Sequence, residues 1–122
     1  MGLLATRQDG LAVTASNVAI GAGWGDTPAT FTVTAGSTDT GGQIVVTSAG
    51  LNQAQSTATV TLTFRRAFDV APFTVATVKS TSALTDGAMR VGPNTTATMV
   101  LTHPVIPVDT NVYTINYLNV GK

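Results

Sequence analysis

The sequence contains no cysteine, so neither disulfides nor thiolate–metal bonds can staple the fold. Glutamate is absent too, and only 10% of residues are charged, against roughly 25% in ordinary soluble domains. The six Lys and Arg are balanced by six Asp, giving a formal net charge of zero. That balance removes the basic footprint that nucleic-acid binding requires. It also removes the repulsion that keeps copies of a protein apart. There is one histidine and one tryptophan. No apolar run approaches the length of a membrane span, so membrane insertion is not expected. The opening Met1-Gly2-Leu3-Leu4-Ala5-Thr6-Arg7 lacks the long apolar stretch of a signal peptide and reads poorly as a myristoylation signal.

What is present is alternation. Ala29-Thr30-Phe31-Thr32-Val33-Thr34-Ala35 sets Ala29, Phe31, Val33 and Ala35 on one side and threonines on the other. Thr57-Ala58-Thr59-Val60-Thr61-Leu62-Thr63-Phe64 repeats the pattern over eight residues. Successive side chains of a strand point to opposite faces, so each run predicts a half-buried strand with threonine outward. Further strands are predicted at Leu11 to Thr14, Gln43 to Ser48, Phe73 to Val78, Ala88 to Val91, Ala97 to Thr102 and Val112 to Val120. Glycine-rich and Asn/Asp-rich clusters separate them: 21–23, 40–42, 50–52, 86–87 and 92–94. No capped 3.6-residue apolar stripe exists, so no substantial helix is expected. About eight short strands predict an all-β antiparallel β-sandwich, jelly-roll-like.

At 122 residues the chain fits one domain. Residues 1–28 differ in texture from residues 29–122 and read as an N-terminal arm or as the first strand and loop of the sandwich.

Residues able to do chemistry are few and scattered. His103 is the sole imidazole, and a triad needs a nucleophile, a base and an orienting group together. A structural or surface role is expected for it. Asp9, Asp26, Asp39, Asp69, Asp86 and Asp109 fall mostly at predicted turns, where they cap backbone donors. No spacing pairs two carboxylates, and Thr38-Asp39-Thr40-Gly41-Gly42 is too poor in acid for a calcium loop. No catalytic residue, cofactor or metal is therefore expected. Asn94-Thr95-Thr96 matches the N-glycosylation pattern, which chance produces often.

The candidate residues are instead interfacial: Leu3, Leu4, Trp24, Arg65, Arg66 and Asp69. Leu3 and Leu4 would anchor the arm, and Trp24 reads as a core or interface plug. Arg65-Arg66 offers one solvated arginine and one paired with a nearby aspartate such as Asp69, or else an ion pair between subunits. Strand edges with so few Lys or Glu to block pairing also imply a partner, although Asp69, Lys79 and the prolines at 72, 104 and 107 blunt some of them.

Several segments have the texture of phage structural proteins: residues 29–47, with the Thr-Asp-x-Gly-Gly turn; Val60-Thr61-Leu62-Thr63-Phe64; the corner at Ala67 to Val75; and the closing Tyr113-Thr114-Ile115-Asn116-Tyr117. Over about residues 29 to 120 the chain resembles small β-sandwich domains of phage tail-fibre tips, head fibres and capsid-decorating proteins. The resemblance implies a homotrimer on the virion surface, made in the bacterial host cytoplasm. The chain is too short for a fibre's attachment region and shaft, and it starts with its own Met. A complete decoration or cement protein on the major capsid protein, or on another virion protein, is therefore expected. The alternative is a fibre tip that binds a host-surface receptor such as a glycan.

Overall fold

The computed structural model describes residues 11–81 and 87–121. Leu3 and Leu4 lie outside them, as do Asp9 and Asp86.

Two antiparallel sheets pack face to face. The four-stranded sheet has the order β1 (Val18–Ile20), β4 (Thr59–Thr63), β8 (Thr98–Thr102), β7 (Arg90–Val91). The five-stranded sheet has the order β2 (Thr30–Val33), β3 (Gly41–Thr47), β9 (Val112–Val120), β5 (Phe73–Ser80), β6 (Gly87–Ala88). Helical structure among the described residues is confined to short 3-10 turns at Ala15–Asn17, Ala22–Trp24 and Gln55–Thr57. The expected all-β sandwich is therefore present. Its pairs nest, β3 with β9, β4 with β8 and β5 with β6, which is the wrapping of a jelly roll.

Alternation fixes the inward set. Ala58, Val60, Leu62 and Phe64 are all buried, while Thr59, Thr61 and Thr63 face outward, as the eight-residue run predicts. Met99 and Leu101 from β8 join them from the same sheet. Ile44 and Val46 of β3, and Tyr113, Ile115 and Tyr117 of β9, close the core from the other. Each such fully buried apolar side chain contributes about 1.5–3 kcal/mol of transfer free energy. Phe31 and Val33 pack against this core from the β2 edge.

Three local expectations are revised. Leu11 to Thr14 forms no strand: Ala12 makes a single bridge to Thr38, and the pairing residues are Val18–Ile20. The short 3-10 turn at Ala15–Asn17, with Thr14 and Asn17 hydrogen-bonding across it, separates the two segments. The turn predicted at 40–42 lies at Asp39 and Thr40, bracketed by the Thr38–Gly41 bridge, and β3 begins at Gly41. The predicted strand Ala88 to Val91 is divided at Met89. Its first half pairs with β5 and its second with β8, so one stretch of chain passes between the sheets and closes that side of the sandwich. The outermost strands are β1 and β7 of one sheet and β2 and β6 of the other.

Residues 11–28 belong to the sandwich. They supply β1 and place Val13, Val18 and Trp24 in the core.

Candidate functional site

The polar groups that looked capable of chemistry are occupied in holding the fold. His103 has no exposed surface and sits in an aromatic cluster, its ring 5.5 Å from Trp24 and 4.8 Å from Tyr113. Its Nδ1 is 2.7 Å from the Val105 carbonyl, which requires the proton on Nδ1 and leaves Nε2 an acceptor without a hydrogen-bond partner. Burial pushes the His103 pKa below its usual value, while the bond to Val105 acts in the opposite sense. The neutral ring is a packing element.

Three aspartates cap backbone donors, as their turn positions predict. Asp26 accepts from the Leu51 N–H at 2.8 Å and from the Asn52 side chain at 2.6 Å, which lower its pKa. Asp109 accepts from the Gly50 N–H at 2.8 Å. Asp39, almost wholly buried, accepts the main-chain N–H groups of both Arg65 (2.7 Å) and Arg66 (2.9 Å). Asp39 thus meets the arginine pair at the pair's main chain, a contact that the sequence reading did not name. The Arg65 guanidinium donates to the Ala12 carbonyl at 2.6 Å, tying the N-terminal segment to the loop after β4. Arg65, Arg66 and Asp69 are all exposed.

Trp24 is fully buried, which places it in the core rather than at a surface. Its indole N–H donates to the Thr59 carbonyl at 2.9 Å, and its own carbonyl accepts from the Ser48 hydroxyl at 2.5 Å. Asn94 is likewise engaged. Its amide donates to Thr74 Oγ1 at 2.7 Å and its carbonyl oxygen accepts from the Val100 N–H at 3.0 Å.

What remains is surface, and the two sheets present opposite kinds. The outer face of the four-stranded sheet is a ladder of Thr59 opposite Thr102, Thr61 opposite Val100 and Thr63 opposite Thr98. Near it an open hollow is lined by Ser56, Arg90, Val91, Gly92 and Thr102. The outer face of the five-stranded sheet carries Phe73 directly opposite Val120, and Val75 directly opposite Leu118. Their exposures are 84%, 57%, 64% and 54%. Single exposed apolar residues are normal on a protein surface, but four in register form a patch. Gly41 lies on the far side of Leu118 and continues the patch without a side chain. Across all five strands the one charged residue is Lys79. It lies four residues from Val75, or about 13 Å along β5.

None of the apolar-face residues is among the six candidates read from the sequence. The signal was there in β5: Lys79 must face solvent, and period two then sends Thr77, Val75 and Phe73 outward with it.

No family model matches this chain, nor does any curated protein or any solved structure.

Proposed function

We propose that this protein is a non-catalytic structural module of a bacteriophage particle, a homotrimer that decorates and cements the capsid surface. The observation that carries this reading is the contrast between the two outer faces. One is a hydroxyl ladder suited to water. The other is an apolar patch on a sheet with a single charge, a surface that gains by being covered. The zero net charge and the phage-like texture of residues 29–120 support the same reading.

Mechanically, such a module acts by bridging. A trimer seated over a junction of major capsid subunits adds buried area at every site, and modest contacts repeated over a shell resist its expansion. Incubating purified protein with undecorated capsids tests this directly. The expected result is co-sedimentation with the shells and a higher temperature of shell disruption. Failure to bind any capsid preparation of the source phage would overturn it.

A second reading is favoured by the hollow beside the hydroxyl ladder. The Arg90 guanidinium with the Ser56 and Thr102 hydroxyls offers the donors that an acidic host-surface sugar requires, as at a fibre tip. Binding to host cells that is lost on Arg90→Ala, with no binding to capsids, would select this reading over the first.

A further inference from the structure

Gly41 and Gly42 stand side by side at the start of β3, yet the described residues require glycine at only one of them. A Cβ on Gly42 would collide with the Ser37 side chain beneath it. A Cβ on Gly41 would find only ordinary contacts, 3.6 Å from the Tyr117 carbonyl and 3.8 Å from a Leu118 methyl. Gly41 is not among the glycines of positive φ. Among the described residues, neither packing nor backbone conformation therefore calls for glycine at 41. A remaining physical reason for glycine in a strand is the close approach of another chain.

The same face supplies the group that would approach. Phe73 is the most exposed large apolar side chain described, and it projects from β5 on the far side of β9 from Gly41. Phe73 is a knob, and the strip over Gly41, bounded by Leu118, is a furrow. They lie on different strands of one surface, so the knob of one copy can seat in the furrow of another. Repeated around a closed symmetry axis, this contact satisfies every copy, and three is the number that the assembly reading above expects.

We propose that this apolar face is covered by further copies of the same chain, Phe73 of each seating over Gly41 of the next, so that three copies close around an axis. The proposal rests on the assembly reading above and names its surface. A second copy suits the patch because the five-stranded sheet carries one charge and the whole chain none net, so like copies meet without repulsion. A standard interface buries about 800 Å² on each partner. The four apolar residues furnish its dry centre, and Thr77, Asn116 and Gln43 furnish a polar rim, the last two already joined at 3.1 Å.

The test is solution mass by sedimentation for the full chain and for Phe73→Ser and Gly41→Val. The first variant removes the knob, and the second fills the furrow with a residue that suits a strand. The expected result is a trimer whose dissociation shifts to at least tenfold higher concentration in each variant, with unchanged far-UV circular dichroism. A monomer, a dimer, or a trimer indifferent to both substitutions overturns the proposal. Capsid binding keeps the two readings separable. A monomer that still coats capsids sinks the seam alone, and a trimer weakened by both substitutions that ignores capsids sinks decoration alone.

Discussion

Leu118 stands directly opposite Gly41 on one side and Val75 on the other, at the middle of the apolar outer face of the five-stranded sheet. The inward neighbours of these residues are buried, so the face is displayed by a rigid ladder and not by a loop. That arrangement leads to predictions about the fold that can be checked separately from assembly.

Gly41 and Gly42 should respond oppositely to a methyl group. In a Phe73→Ser background at concentrations below assembly, Gly41→Ala is expected to leave stability unchanged or raise it by about 0.5 kcal/mol, since Ala restricts the unfolded chain. Gly42→Ala is expected to cost about 1–3 kcal/mol through the collision with Ser37. Urea titrations of the two variants make the comparison.

Asp39 is the strongest single tie between the β2–β3 hairpin and the loop that follows β4. Asp39→Ala strands the N–H groups of Arg65 and Arg66 and is expected to cost about 2–4 kcal/mol. Asp39→Asn keeps one acceptor oxygen and should fall between wild type and Ala. Equal urea midpoints for all three would remove the claim.

His103 gives the fold an acid limit. Burial depresses its folded pKa below 6.5, so the unfolded chain takes up the proton first as pH falls. This contribution to stability is complete above about pH 6.5 and declines below it, until the folded ring also protonates. His103→Phe, which keeps an aromatic ring between Trp24 and Tyr113, should flatten that part of the pH profile. The exposed carboxylate of Asp26, with its own lowered pKa, adds a loss only at more acid pH. Thermal melts across the range would read both.

Trp24 is the only tryptophan, so fluorescence reports on it alone. Its complete burial predicts blue-shifted emission and weak quenching by acrylamide, at concentrations both above and below assembly. Trp24→Ala is expected to cost about 3–5 kcal/mol. Emission that shifts on association would put the indole at the interface instead.

Much of this architecture was legible because threonine alternation is a direct image of the strand period. In β4 the prediction gave every inward and outward side chain, and in β9 even the bounds. Leu11 to Thr14 misled because an apolar–polar alternation of four residues carries no information about a partner, and the partner of β4 turned out to be Val18–Ile20. The contact of Asp39 with the main chain of the arginine pair was not legible, because Asp39 reaches it through a hairpin that only the fold brings close. The apolar face was passed over for a different reason. Val75 and Leu118 look like core residues in a linear reading, and only the position of Lys79 and the burial of Tyr117 show that they point away from it.

The most direct test of the seam uses the absence of cysteine. A chain carrying Gln43→Cys together with Thr77→Cys, rim positions on either side of Asn116 that leave Phe73 and Gly41 intact, has no other thiols. The two positions are separated by β9, about 10 Å or more apart within one copy, which exceeds the roughly 7 Å limit for a disulfide. Any bond formed between them therefore joins different copies. Under mild oxidation the account predicts a closed covalent trimer on a denaturing gel, reverting to single chains on reduction. Chains that stay single with their thiols free, or that stop at dimers, would contradict it.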